Sequence, residues 1–126
     1  MTTNEICQRY RITPRELQWW HDKGLITSTR NGHARDFDLA QALTAAIVAE
    51  LRDKGVSLQR IRRLRIEKPL GDYLVVHATM AVWCGAQDVI PCLAACPGPC
   101  LVVSVEDLRK RLHDQDPPRF ARRKAN

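Results

Sequence analysis

Residues 13–23 read Thr-Pro-Arg-Glu-Leu-Gln-Trp-Trp-His-Asp-Lys and are followed by Gly24. No other stretch constrains the fold as tightly, because both ends of a helix are written into it. The Thr13 hydroxyl can accept from an orphan backbone N–H at the helix start. Pro14 suits the first helical position, where no N–H is needed. Glu16, three residues after the cap, completes a capping box. Gly24 supplies a left-handed stop. Helical spacing then sorts the side chains onto two faces. Leu17 and Trp20 form an oily one. Arg15, Gln18, Trp19 and Asp22 form a polar one. Arginine can grip guanine with two hydrogen bonds and glutamine can grip adenine, and both can bind phosphate. By itself the helix reads first as a surface helix with one buried stripe, and the segments on either side change that.

Before it, Thr3 is placed to cap a helix over residues 4–10, with Ile6 and Tyr10 on one face and Cys7 as a small apolar neighbour. Arg11 and Ile12 link the two helices, a spacing that fits a helix-turn-helix. After Gly24, two short strands are expected over residues 25–30 and 33–37, joined at the Asn31-Gly32 turn signal. This wing carries Arg30, His33 and Arg35, and such a ribbon can lie along a phosphate backbone. Asp38 and Gln41 form a second cap signature. Leu39, Leu43, Ile47 and Leu51 then repeat every four residues, predicting a core-packed helix that ends at Lys54-Gly55. Ser57 caps a fourth helix, with Leu58, Ile61 and Leu64 inward and Arg60, Arg62, Arg63 and Arg65 on the other faces. Pro69 and Gly71 mark the end of this module.

Charge supports a polyanionic partner. Residues 1–70 carry 13 Lys/Arg against 8 Asp/Glu, while residues 71–112 carry 3 against 4. A basic half joined to a near-neutral half fits a nucleic-acid module with an appendage.

In order and spacing, Thr-Pro-Arg-Glu-Leu-Gln-Trp-Trp, Lys-Gly-Leu-Ile, Asn-Gly-His-Ala-Arg-Asp-Phe and Lys-Gly-Val-Ser-Leu-Gln-Arg-Ile together resemble the winged-helix domain of the MerR family. The resemblance spans about the first 68 residues. The family usually continues its cap and leucine with Arg-Tyr-Tyr-Glu. Here Gln18-Trp19-Trp20-His21 stands instead, keeping the aromatic pair in kind and replacing the first arginine. The resemblance implies that Arg15, Gln18 and Trp19 face DNA, that Trp20 packs inward, and that Arg35 binds the backbone beside Phe37 as a core aromatic.

The long dimerising helix usual in the family's metal and drug sensors is missing. Residues 73–77 and 80–84 instead read as a hairpin. Asp88 is placed to cap a helix over residues 89–95, which Pro97-Gly98-Pro99 stops. Residues 100–105 read as a strand, and Ser104 with Asp107 caps a last helix to about residue 113. A unit this small buries little by itself and is expected to pack on the first module, on a second copy, or on both. Residues 114–126, with Arg119, Arg122, Arg123 and Lys124, read as a basic flexible tail.

The chain has five cysteines and no export signal, which suggests reduced thiols in the cytoplasm. Cys84, Cys92, Cys96 and Cys100 are read first as small apolar residues. A thiolate metal or redox site remains the alternative, since Cys92 and Cys96 share a helix face. No family metal ligand carries over, and no histidine is assigned as one.

The expected fold is therefore α+β. Residues 1–70 form a winged helix-turn-helix of four helices and a two-stranded wing. Residues 71–113 form a small ββαβα unit for dimerisation or sensing. The expected function is transcription regulation by sequence-specific binding of double-stranded DNA, as a homodimer. The helix over residues 13–23 would enter the major groove and the wing over residues 27–37 would hold the backbone, through Thr13, Arg15, Gln18, Trp19, Arg30, His33 and Arg35. No cofactor, membrane span or enzymatic site is expected. A protein–protein adapter, an excisionase-like architectural DNA-binding factor and a thiol- or metal-responsive regulator are the competing readings.

Overall fold

The computed structural model describes residues 1–64, 66, 71–77, 80–96 and 98–113. The basic tail, the Pro69 boundary, Arg65 and the 78–79 turn expected from the sequence lie outside them.

The first helix, α1 (Thr3–Tyr10), begins one residue earlier than expected. Its cap is Thr2, which completes a box with Glu5. Thr3 therefore lies inside the helix. Arg11 ends α1 in a left-handed conformation at φ 55°, an uncommon position for a residue with a Cβ. The chain turns there into α2 (Pro14–Asp22), whose Thr13–Glu16 box forms as expected. Gly24, at φ 79°, takes it out again.

The wing is shorter than the sequence suggests. Strands β1 (Thr29–Asn31) and β2 (Ala34–Asp36) pair antiparallel. Asn31 pairs with Ala34, so Gly32 and His33 form the turn rather than Asn31 and Gly32. Gly32, at φ 68°, takes the first corner of this two-residue loop. Leu25, Ile26 and Phe37, expected in the strands, are buried in the core instead.

Helix α3 (Leu39–Asp53) is capped by the Asp38–Gln41 box and forms the centre of the molecule. One expectation about it fails: Leu39 is half exposed. The other three leucine and isoleucine positions are buried, and so are Ala42, Ala45, Ala46, Val48 and Ala49. A single-stripe reading missed this because α3 is covered on more than one side. Short alanine side chains let those neighbours approach closely. Helix α4 (Leu58–Leu64) follows, and the Arg60 N–H donates to the Ser57 hydroxyl at 3.2 Å.

The remaining residues form β3 (Tyr73–Val76), β4 (Ala81–Cys84), α5 (Val89–Ala95), β5 (Leu101–Ser104) and α6 (Val105–His113). The sheet order is β4-β3-β5, antiparallel throughout, with Leu74 opposite both Trp83 and Val103. Asp88 does not cap α5, because its side chain accepts no capping bond and a 3₁₀ turn, Ala86–Asp88, leads in. Ser104 does cap α6, accepting from the Asp107 N–H at 3.2 Å.

The two modules share one core. Leu74, Val76, Val103, Val105, Leu108 and Leu112 join the apolar cluster built by α1, α2 and α3. Polar ties cross the same seam: Tyr10 Oη donates to the Leu108 carbonyl at 2.9 Å, Arg9 Nη1 to the Arg111 carbonyl at 3.0 Å, and Arg60 Nη2 to the His77 carbonyl at 2.8 Å. The small unit thus solves its burial problem on its own first module. Among the described residues no helix is long and apolar enough to cross a membrane.

Candidate nucleic-acid interface

The two faces of α2 separate as their spacing requires. Leu17 and Trp20 are almost fully buried, whereas Thr13, Arg15, Gln18 and Trp19 are exposed. Trp19 leaves 51% of its surface in solvent, an uncommon position for so large a ring. Thr13, Arg15, Glu16, Gln18, Trp19 and Asp22 line a shallow recess of about 600 Å³ along this face. Two of these groups are already engaged. The Thr13 hydroxyl serves the cap, and Gln18 Nε2 donates to Asp22 Oδ1 at 2.7 Å. The Arg15 guanidinium makes no hydrogen bond or ion pair among the described residues.

The wing stands beside α2 and completes a second recess, also about 600 Å³. Asn4, Gln18, Arg30, His33 and Arg35 line it, with Thr2 and Thr3 from the start of α1. Arg30 and Arg35 are directly opposed across β1 and β2. Like charges in that relation repel, yet neither guanidinium has an acidic partner among the described residues.

His21 couples the two elements. Its Nε2 lies 3.1 Å from the Ser28 hydroxyl at the foot of the wing. Its pKa is held below the ordinary 6.5 by loss of solvent and then by the positive charge of Arg35, with Arg30 adding to it and Asp22 opposing.

All seven residues expected to contact DNA are therefore surface groups of α2 or the wing, and α2 and the wing adjoin. The sequence reading missed Asn4 and the α1 start, and also His21. The Thr2–Glu5 box was the available signal for the first, since it fixes where α1 begins and which residues its end presents. His21 carried no local signal, because its partner Ser28 lies in the irregular link to the wing.

Cys84 ends β4, Cys92 lies on α5, Cys96 at the end of that helix, and Cys100 just before β5. All are free thiols. Among the described residues no group of three or more His, Cys, Asp or Glu is arranged to hold a metal ion. Cys7 lies apart on α1, where burial and the Glu16 carboxylate push its thiol up to about 11.

Two capped helices at the start, a short ribbon and a buried third helix define a winged helix-turn-helix module. Residues 1–67, just over half of the chain, match the MerR family of helix-turn-helix regulatory proteins, and the chain belongs to that family. The family is one of DNA-binding transcriptional regulators. No curated protein matches the chain.

Proposed function

We propose that the protein is a homodimeric, cytoplasmic regulator that binds double-stranded DNA in a sequence-specific way, with α2 in the major groove and residues 27–37 along the backbone. The observation that carries this reading is the opposed Arg30–Arg35 pair. Two unpartnered guanidiniums held face to face cost stability in the free protein, and a phosphate placed between them would offset that cost. Arg15 supplies a free fork for a guanine edge or a phosphate. Gln18 would exchange its bond to Asp22 for an adenine edge. Trp19 offers a flat apolar surface beside them. Thr13 acts by fixing the first turn of α2, since its hydroxyl is occupied. His33, at the wing tip, would lie against the backbone.

Residues 1–70 are the reading module in this proposal, and residues 71–113 the unit that joins two copies. A two-fold protein would then read a two-fold site. The basic tail over residues 114–126 would add contacts without sequence preference.

The test is binding of a fluorescent duplex, followed against salt, for the parent and for Arg15→Ala and Arg35→Ala. Both variants should bind more weakly while keeping the parent's circular dichroism and melting temperature. Parent-like binding by both would place the interface elsewhere.

A further inference from the structure

Asp22 is the final residue of α2 and is exposed. It lines the same recess as Arg15, Gln18 and Trp19. A carboxylate is out of place there on two counts. It lies at the helix C-terminus, where the dipole favours a cation. It also stands on the face assigned to DNA, where phosphates repel it. One contact compensates: Gln18 Nε2 donates to Asp22 Oδ1 at 2.7 Å. An ionised carboxylate only accepts, so the amide must turn its nitrogen toward it. When Gln18 turns to an adenine edge, as proposed above, Asp22 loses that donor. Leaving a carboxylate unpaired in a closed interface costs more than one hydrogen bond gains. The duplex must therefore supply a replacement. Among the base edges of the major groove, only adenine N6 and cytosine N4 donate. Gln18 takes the adenine.

We propose that Asp22 is a base-reading residue that accepts from the N4 amino group of a cytosine near the adenine taken by Gln18. The assignment rests on the reading of α2 as the major-groove helix. Gln18 and Asp22 are four residues apart, which advances the helix by about 6 Å. Base pairs stack about 3.4 Å apart. The cytosine therefore lies about two base pairs from the adenine, on the side away from the Arg15 contact. The same carboxylate rejects thymine O4 and guanine O6 and N7, which only accept. A duplex without that cytosine leaves the carboxylate unpaired, so Asp22 adds discrimination rather than affinity.

The test selects duplexes from one random pool, at one salt concentration, with the full-length parent, Asp22→Ala and Asp22→Asn. The parent should enrich a cytosine about two base pairs from an adenine. Asp22→Ala should lose preference at the cytosine alone and keep the adenine. Asp22→Asn, whose amide donates as well as accepts, should also admit thymine or guanine there. The parent's best duplex is then remade with 2-pyrimidinone, which keeps the cytosine ring without its amino group. The parent should bind it about tenfold more weakly. Asp22→Ala should bind both duplexes alike. No cytosine at that position in the parent's enriched sequence would overturn the assignment and leave the DNA-binding reading standing. An unchanged cytosine preference in Asp22→Ala, with or without tighter binding, would do the same, as would equal binding of both duplexes by the parent. Absence of any duplex binding by the parent would overturn both.

Discussion

Arg30 and Arg35 face each other directly across the wing, with no acidic side chain between them among the described residues. Removing one should relieve repulsion in the free protein while removing a phosphate contact. Arg30→Ala and Arg35→Ala are each expected to leave folding stability unchanged or raise it by roughly 0.2–1 kcal/mol. Each should also reduce the slope of log affinity against log salt by about one. Urea unfolding beside salt-dependent duplex binding measures both effects, and a stability loss with an unchanged slope would refute the assignment.

The two tryptophans of α2 should behave in opposite ways. Trp20 is 1% exposed, so Trp20→Ala is expected to cost about 3–5 kcal/mol. Trp19 is half exposed, and Trp19→Ala should unfold at nearly the parent's urea concentration while binding duplex less well. A large stability loss in Trp19→Ala would show that its ring supports the fold.

This division was legible in the sequence because it depends only on local spacing. The capping boxes, the turn of α2 and the stripe of Leu17 and Trp20 all lie within one or two helical turns. What could not be read depended on distant chain. Leu25, Ile26 and Phe37 alternate well enough for strands, yet the core claims them and leaves a three-residue ribbon. The alanines of α3 carry no stripe, and their burial follows from neighbours, such as α6, that approach from far along the sequence.

The caps themselves should matter measurably. Thr13→Ala and Asp38→Ala each remove a side chain that accepts from a backbone N–H, at 3.1 Å and 2.7 Å. Each is expected to cost about 1 kcal/mol in chemical unfolding. Thr13→Ser, which keeps the oxygen, should recover most of the loss.

The seam between the modules should be sensitive to one hydroxyl. Tyr10 Oη donates to the Leu108 carbonyl in a buried setting, and burial raises the phenol's pKa. Tyr10→Phe is expected to destabilise the whole chain by about 0.5–1.5 kcal/mol in one cooperative transition. If only the residues after position 70 loosened, as read by amide hydrogen exchange, the shared core would not bind the modules together.

His21 gives a pH dependence of known sign. Its folded pKa is lowered by lost solvent and by Arg35, so the unfolded chain binds its proton more readily. Stability is therefore full above the ordinary value of 6.5 and falls as pH drops below it, levelling once the folded imidazole also titrates. His21→Gln should remove that portion of the dependence. Duplex binding would neutralise Arg30 and Arg35 and so raise the His21 pKa, which imidazole NMR shifts can follow. An unmoved His21 titration in the bound protein would mean that no phosphate sits at the wing.

The most direct test of the central claim is selection from a random duplex pool, with sequencing of what binds and affinity then followed against salt. The account predicts one enriched sequence with two-fold symmetry, a steep loss of affinity with salt, and loss of the enrichment in Arg15→Ala. No duplex binding at low salt would contradict it.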